Sequence, residues 1–354
     1  MAADANSSWG LRFITLVALK QSPVSGDLAL ARGGWVKLIC GASNQDLPAI
    51  SDLCAVYAAA GVHCVDVAAD EAVVRAARQG LDWVQSQWGY RPWLMVSVSD
   101  GQDAHFRKAW FDPQRCPSDC RRPCQRVCPA DAIAGEGGIH ASRCYGCGRC
   151  LPACPLGLID LEDRRLGLDD LAPMLAELRP DAVEIHTAPG RAEAFQSTIA
   201  ALMDVQLPLQ RLAVSCGLEG HGLTVHSLAR ELWQRHDCLR RYGQRPLWQL
   251  DGRPMSGDVG AGTARAAVAL WHGVRHLAPP GPLQLAGGTN DHTILHLPEN
   301  DGPAGVAFGG MARRLLQPWL QEAQAREISL RDWPEGWCAA VAKAQKLVRP
   351  WLSR

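Results

Sequence analysis

The sequence predicts an α/β fold, a (β/α)8 barrel interrupted once, on three observations. Eight short segments rich in Val, Ile and Leu recur along the 354 residues, and helical patterns fill the gaps between them. The segments start roughly 22 to 36 residues apart, near the ~30 of a βα unit, except for a third interval of about 89. Taking some 55 residues out of that interval restores the period. The excess is an insertion after the third strand, where the functional loops of such barrels project.

The eight segments are WVKLICGAS from Trp35, VHCVDVAAD from Val62, PWLMVSVSD from Pro92, DAVEIHTAPG from Asp181, QRLAVSCG from Gln210, RPLWQLDG from Arg245, GPLQLAGGTN from Gly281 and AGVAFGG from Ala304. Runs this short, without strict polar alternation, suit strands covered on both faces, as parallel strands are. After Asp46 and Pro48, the residues Ile50, Leu53, Cys54, Tyr57 and Ala58 repeat at helical spacing, and Gly61 closes that helix. A second helix takes Thr263 as its N-cap, presents Ala267, Leu270, Trp271 and Val274 on its apolar face, and stops at Pro279, Pro280 and Gly281. From about residue 311 onward two more helices, ARRLLQPWLQEA and GWCAAVAKAQKLV, close or cap the barrel. The domain reading is 1–105 for the first part of the barrel, 106–162 for the insert, 163–310 for the second part and 311–354 for the helical C-terminal segment. An open doubly wound sheet with the same insert is the alternative.

Lys plus Arg and Asp plus Glu both number 36, so the formal net charge is zero, which argues against a polybasic nucleic-acid binder or an acidic tail. The longest apolar runs, such as 13–19, fall short of the roughly 20 residues a spanning helix needs, and no leader pattern opens the chain. A soluble, cytoplasmic protein with no membrane span is expected.

Eight of the 14 cysteines lie within 116–154. Cys144-x2-Cys147-x2-Cys150-x3-Cys154-Pro155 matches the bacterial ferredoxin spacing at every position, in which three thiolates wrap one cluster and the fourth ligates a second. Thiolate is soft and anionic and so matched to iron, and the proline turns the chain away from the cluster. The first run, Cys116-x3-Cys120-x3-Cys124-x3-Cys128-Pro129, has the same ending but one extra residue in each early gap. Ferredoxin logic gives Cys116, Cys120, Cys124 and Cys154 to one cluster and Cys144, Cys147, Cys150 and Cys128 to the other. Whether Cys116 and Cys120 both ligate is open at this stage: two [4Fe–4S] clusters are one outcome, a [3Fe–4S] in the irregular run the other. Zinc modules do not favour this spacing. PADAI after Cys128 and PLGLI after Cys154 repeat one ending, which gives the insert a two-fold character.

Around the first run, Arg107, Lys108, Arg115, Arg121, Arg122 and Arg126 outnumber Asp112 and Asp119. They either compensate cluster charge or form a docking surface for an acidic electron-transfer partner. Gly287 and Gly288 after the seventh strand and Gly309 and Gly310 after the eighth stand where barrels hold phosphate, so FMN is a candidate cofactor there; tight turns explain the same glycines. The glycine run Gly257, Gly260 and Gly262 lacks a full dinucleotide fingerprint. Lys37, Asp66, Ser97, His186, Ser215 and Asp251 lie near strand ends, where catalysts would come from, but form no recognisable constellation, and core or turn roles are favoured. Cys40, Cys54, Cys64, Cys216, Cys238 and Cys338, in apolar contexts, read as packing residues, as do the 13 tryptophans.

With these residues placed, the chain resembles the light-dependent period (LdpA) family of cyanobacteria. The likeness is carried by WVKLICGASNQDLPAI at 35–50, CVDVAAD at 64–70, CPADAI at 128–133 and RCYGCGRCLPACP at 143–155, and it covers most of the chain. The resemblance implies an iron–sulfur protein that reports cellular redox state, and thereby light, to the circadian clock through KaiA, CikA and SasA. Two readings compete: a non-catalytic redox sensor and electron relay built on a barrel scaffold, and an iron–sulfur flavoprotein oxidoreductase with FMN in the barrel.

Overall fold

The computed structural model describes residues 24–41, 47–103, 106–134, 138–141, 143–163, 166–218, 222–253, 260–298 and 301–354. Eight parallel strands close into a barrel: β1 (Trp35–Ile39), β2 (Cys64–Ala68), β3 (Trp93–Ser99), β4 (Ala182–His186), β5 (Arg211–Gly217), β6 (Pro246–Asp251), β7 (Leu283–Ala286) and β8 (Gly305–Phe308). Each pairs with the next, and β8 returns to β1 with Trp35 opposite Gly305 and Lys37 opposite Ala307. All eight expected strands are present, and the open-sheet alternative is overturned by that closing pair.

The strands are covered on both faces, yet their two faces differ. Outward residues such as Val36, Leu38, Val65, Val67, Val96, Ile185, Val214 and Leu250 join the main apolar core beneath the helices. Their inward neighbours are largely polar. The helices are α1 (Leu47–Ala60), α2 (Glu71–Trp88), α3 (Leu168–Leu178), α4 (Ala192–Asp204), α5 (Val225–Arg241), α6 (Ala264–Val274), α7 (Gly310–Ala325) and α8 (Pro334–Leu352). Gly61 follows α1 with a left-handed φ of 101°, as a C-terminal cap should; Asp46 lies outside the described residues.

Two expectations need correction. Thr263 does not cap α6: it has helical dihedrals, and its hydroxyl donates to the carbonyls of Gly260 (2.9 Å) and Gly288 (2.6 Å), tying the start of α6 to the loop after β7. The C-terminal helices do not plug the barrel end. Instead α8 packs against β1 and α1, with α7 against α8, and Asp52 of α1 fixes their connection by accepting from Ser329 Oγ, Leu330 N and Arg331 Nε at 2.8–3.1 Å. The N-terminal barrel end is filled by a helix the sequence reading missed, Gly26–Arg32, whose Ala29 and Leu30 pack with Trp35, Cys64, Met95, Ala182, Ala213 and Leu247. Among the described residues no helix is long and apolar enough to cross a membrane.

Helices α1 and α2 touch backbone to backbone at Gly80, where an added Cβ would lie 2.2 Å from the Ser51 carbonyl oxygen. Alanine in a helix interior ordinarily gains up to ~1 kcal/mol over glycine. Here overpacking of about 1–3 kcal/mol opposes it. Gly80→Ala is therefore expected to lower, not raise, the urea midpoint of unfolding.

Candidate metal centre

The insert stands on a two-stranded stem in which Arg107–Trp110 pairs antiparallel with Asp160–Asp163. Two of the basic residues have structural roles there: Arg107 pairs with Asp163 at 3.2 Å, and Lys108 reaches Asp70 at 3.1 Å. Asp70 is the N-cap of α2, its other oxygen accepting from Ala72 N at 3.0 Å, so one carboxylate joins the stem to the barrel.

Beyond the stem the module is two-fold. Short helices Pro123–Arg126 and Cys150–Ala153 pack together, carrying Cys124 and Cys150, and each is followed by a Cys-Pro turn. At the turns, Ala132 N–H points at Cys128 Sγ (3.3 Å) and Leu158 N–H at Cys154 Sγ (3.4 Å), the same four-residue offset in both halves. Cys128, Cys144, Cys147 and Cys150 line one small cavity between the two halves. Burial raises the Cys124 thiol, and the neighbouring thiols that add to the shift are Cys154, Cys116 and Cys120. Burial pushes Cys150 up to about 12, with Cys144, Cys147 and Cys128 as its neighbours. Each set is all-sulfur, held against apolar residues such as Ala109, Phe111, Ile133 and Ile159, and offered N–H donors at the sulfur. That donor set fits an iron–sulfur cluster, which needs four thiolates and is tuned by hydrogen bonds to sulfur.

The two sets differ in position. Tyr145 is buried in the barrel's main core and Cys147 packs against it, so the set containing Cys147 faces the barrel. Around the other set, Arg115, Arg121 and Arg126 are exposed and Arg122 half-buried, while Val127 and Leu156 expose 38 % and 51 % of their surface beside them. No ion pair among the described residues engages these four arginines.

The polar strand-end residues, which the sequence left unconnected, are brought together in the barrel. Lys37 is fully buried; its Nζ lies 2.9 Å from Asp66 and also pairs with Glu184. Ser97 donates to Asp66 at 2.6 Å. His186 joins Glu184 (Nε2, 3.1 Å) to Asp103 (Nδ1, 2.8 Å), and Asp103 belongs to the segment leading into the module. Gln249 donates to Glu184 (2.8 Å) and Ser215 (3.2 Å), Ser215 donates to Asp251, Gln284 donates to Gln249 (2.6 Å) and Trp35 Nε1 donates to Gln284 (2.6 Å). Burial opposes the Lys37 charge, but Asp66 and Glu184 together hold its pKa above the ordinary value. Burial likewise opposes ionised Glu184, and Lys37 with His186 overrides it, down to about 2. Glu184, Asp103, Gln249 and Gln284 were missed from sequence. Their one signal was period-two placement: Glu184 and His186, or Gln249 and Asp251, share a strand face.

Gly287 and Gly288 have left-handed φ of 65° and 88°, and a Cβ on either would meet the backbone of Arg253 or Thr263 within 2.5–2.8 Å. Close packing of two loops accounts for both. Gly309 and Gly310 begin α7, where a Cβ on Gly309 would be uncrowded. Gly257 lies outside the described residues. Five of the six scattered cysteines are buried and Cys338 is half-buried; Cys40 and Cys54 touch, Sγ to Sγ, at 3.6 Å.

The LdpA Fe–S cluster-binding domain matches residues 116–165 and the light dependent period A C-terminal domain residues 174–350. The light dependent period A protein of Synechococcus elongatus is 47% identical over 331 residues, covering 91% of this chain and 92% of that protein. An uncharacterized ferredoxin of Methanocaldococcus jannaschii is 37% identical over 65 residues, 18% of this chain and 43% of that protein. A tryptophan synthase structure from Mycobacterium tuberculosis, 14% identical, covers 91% of this chain and 99% of its own with a TM-score of 0.42.

Removing Lys37 strands two buried carboxylates. Lys37→Met is expected to cost about 3–5 kcal/mol, measured by urea denaturation followed through tryptophan fluorescence. Burial disfavours charged His186, but Asp103 and Glu184 raise its pKa well above the ordinary value. A raised folded pKa contributes stability below the unfolded value of ~6.5 and loses it as pH climbs through the folded one. The penalty of His186→Gln is therefore expected to be larger at pH 6 than at pH 9.5 in the same assay.

Proposed function

This chain belongs to the light dependent period A family of iron–sulfur proteins, and from that premise we propose that it is a redox sensor and electron relay with two [4Fe–4S] clusters. Cys116, Cys120, Cys124 and Cys154 hold one, and Cys144, Cys147, Cys150 and Cys128 the other. The observation that carries the reading is the shared cavity of Cys128, Cys144, Cys147 and Cys150, and it is supported by Cys154, Cys116 and Cys120 of the irregular run being the charged neighbours of Cys124. A full set of four favours [4Fe–4S] over [3Fe–4S] there.

Each cluster, when bound, takes up and returns one electron. The chain's own residues do the rest. Ala132 and Leu158 N–H groups favour the more negative state of the sulfurs they face. Arg115, Arg121, Arg122 and Arg126, without carboxylate partners among the described residues, offset charge at the outer set and, with Val127 and Leu156, offer an acidic redox protein a mixed basic and apolar face. Lys108, Asp70, Tyr145 and the Asp103–His186 pair seat the inner set on the barrel, so a charge change there is felt by residues fixed to the scaffold. In this reading the output is the redox state passed to the circadian clock in the cytoplasm, with KaiA, CikA and SasA as the partners the family resemblance implies.

The test is iron, sulfide and released flavin quantified on anaerobically purified protein, with EPR during a dithionite titration. About eight iron atoms per chain, falling to about four in Cys124→Ala and in Cys150→Ala separately, are expected, with reversible reduction and no flavin. Stoichiometric flavin, or iron that does not respond to dithionite, would overturn the sensor reading.

A further inference from the structure

A cleft of about 1090 Å3 runs along the outside of the barrel between α1, α2, α7 and the connection to α8, and the module's Arg149, the residue before Cys150, is part of its lining. Its α7 wall is a polar stripe at helical spacing, Arg313, Gln317, Gln321 and Gln324, and its opposite wall is apolar, with Leu47, Pro48 and Leu53. None of the four stripe side chains makes a hydrogen bond or ion pair with the described residues.

Arg313 is the telling member. It is half-buried, and burial holds its pKa below that of an ordinary arginine. Its guanidinium folds back toward the start of α7, Nη1 lying 3.8 Å from where a Cβ on Gly309 would be, and no carboxylate among the described residues faces it. The other charges of the cleft are engaged or distant. Arg331 pairs with Asp52 at 3.1 Å and Arg75 with Glu71. Glu327 lies 14 residues further along the chain, past the end of α7 and about 20 Å away at 1.5 Å per residue. A half-buried guanidinium without a counter-ion has lost part of its hydration without compensation, and an anion from outside the chain can supply it. Arg313 suits a phosphate, which a guanidinium group grips by paired N–H bonds. The row of free amides beyond it suits hydroxyl and ring-nitrogen groups.

We propose that this cleft binds a small organic phosphate, its phosphate on Arg313 and its polar body along Gln317, Gln321 and Gln324. The site is separate from the thiol sets and from the Gly287 and Gly288 loop, and it does not depend on the sensor reading.

Thermal melting of the full, cluster-loaded chain tests this with inorganic phosphate, ribose 5-phosphate and adenosine monophosphate against sodium chloride of equal ionic strength. All three phosphates are expected to raise the melting temperature, at least one organic phosphate half-saturating at a tenfold lower concentration than inorganic phosphate. Arg313→Gln should abolish the shifts while itself melting no lower than wild type in phosphate-free buffer. Gln321→Leu should weaken the organic phosphate and leave inorganic phosphate unchanged. No shift beyond chloride, or equal shifts in Arg313→Gln, overturns the site. Organic phosphates no tighter than inorganic phosphate overturn the assigned ligand class.

Discussion

The barrel is organised around one fully buried ammonium, that of Lys37, held between Asp66 and Glu184. Neither partner can be lost cheaply, because a charge left alone in that interior keeps its desolvation cost and loses its compensation. Three strands are pinned by the triad, and its hydrogen bonds extend through Ser97, Gln249, Ser215, Gln284 and Trp35 to β3, β5, β6, β7 and back to β1. Hydrophobic packing on the outer face would tolerate sliding between similar aliphatic residues, whereas this network is satisfied in one register.

From Glu184 the same network passes through His186 to Asp103, on the segment that leaves the barrel for the module. Where the module sits is thus a consequence of how the barrel closes. The Lys108–Asp70 pair and Tyr145 in the barrel's main core hold the module as well. Its own core is a handful of side chains, of which Cys124, Cys144 and Cys150 are members. A unit of that size ordinarily needs a metal or disulfide staple to be stable. The thiols that would carry the chemistry are therefore also the module's core, and loss of ligation would loosen the surface presented to a partner.

The sequence made the barrel legible because period is robust: eight apolar segments at βα spacing survive a 55-residue interruption in pattern. Cys144 to Pro155 was legible because ligand spacing is set by cluster geometry. The first run was ambiguous for a local reason. An extra residue in each early gap can be absorbed by looped backbone, here with Arg122 at a left-handed φ of 48°, and spacing alone does not say whether it will be. The interior network was hidden for a different reason. When both faces of a strand are buried, a polar residue does not announce which face it takes, and Lys37 needs partners 29 and 147 positions away. Helix Gly26–Arg32 was missed because seven residues give too short a pattern to separate from a loop.

The two sites share a boundary. Arg149 lines the phosphate cleft and directly precedes Cys150, while α2, whose Ala72, Arg75, Ala76 and Gln79 form one cleft wall, takes its N-cap from the same Asp70 that grips the stem through Lys108. An anion entering the cleft that Arg149 lines adds negative charge next to the inner thiol set. If it thereby disfavours the reduced state of that set, reduction must weaken the anion by the same factor, since coupling free energy has no direction. A ligand in the cleft and an electron in the module would then oppose one another.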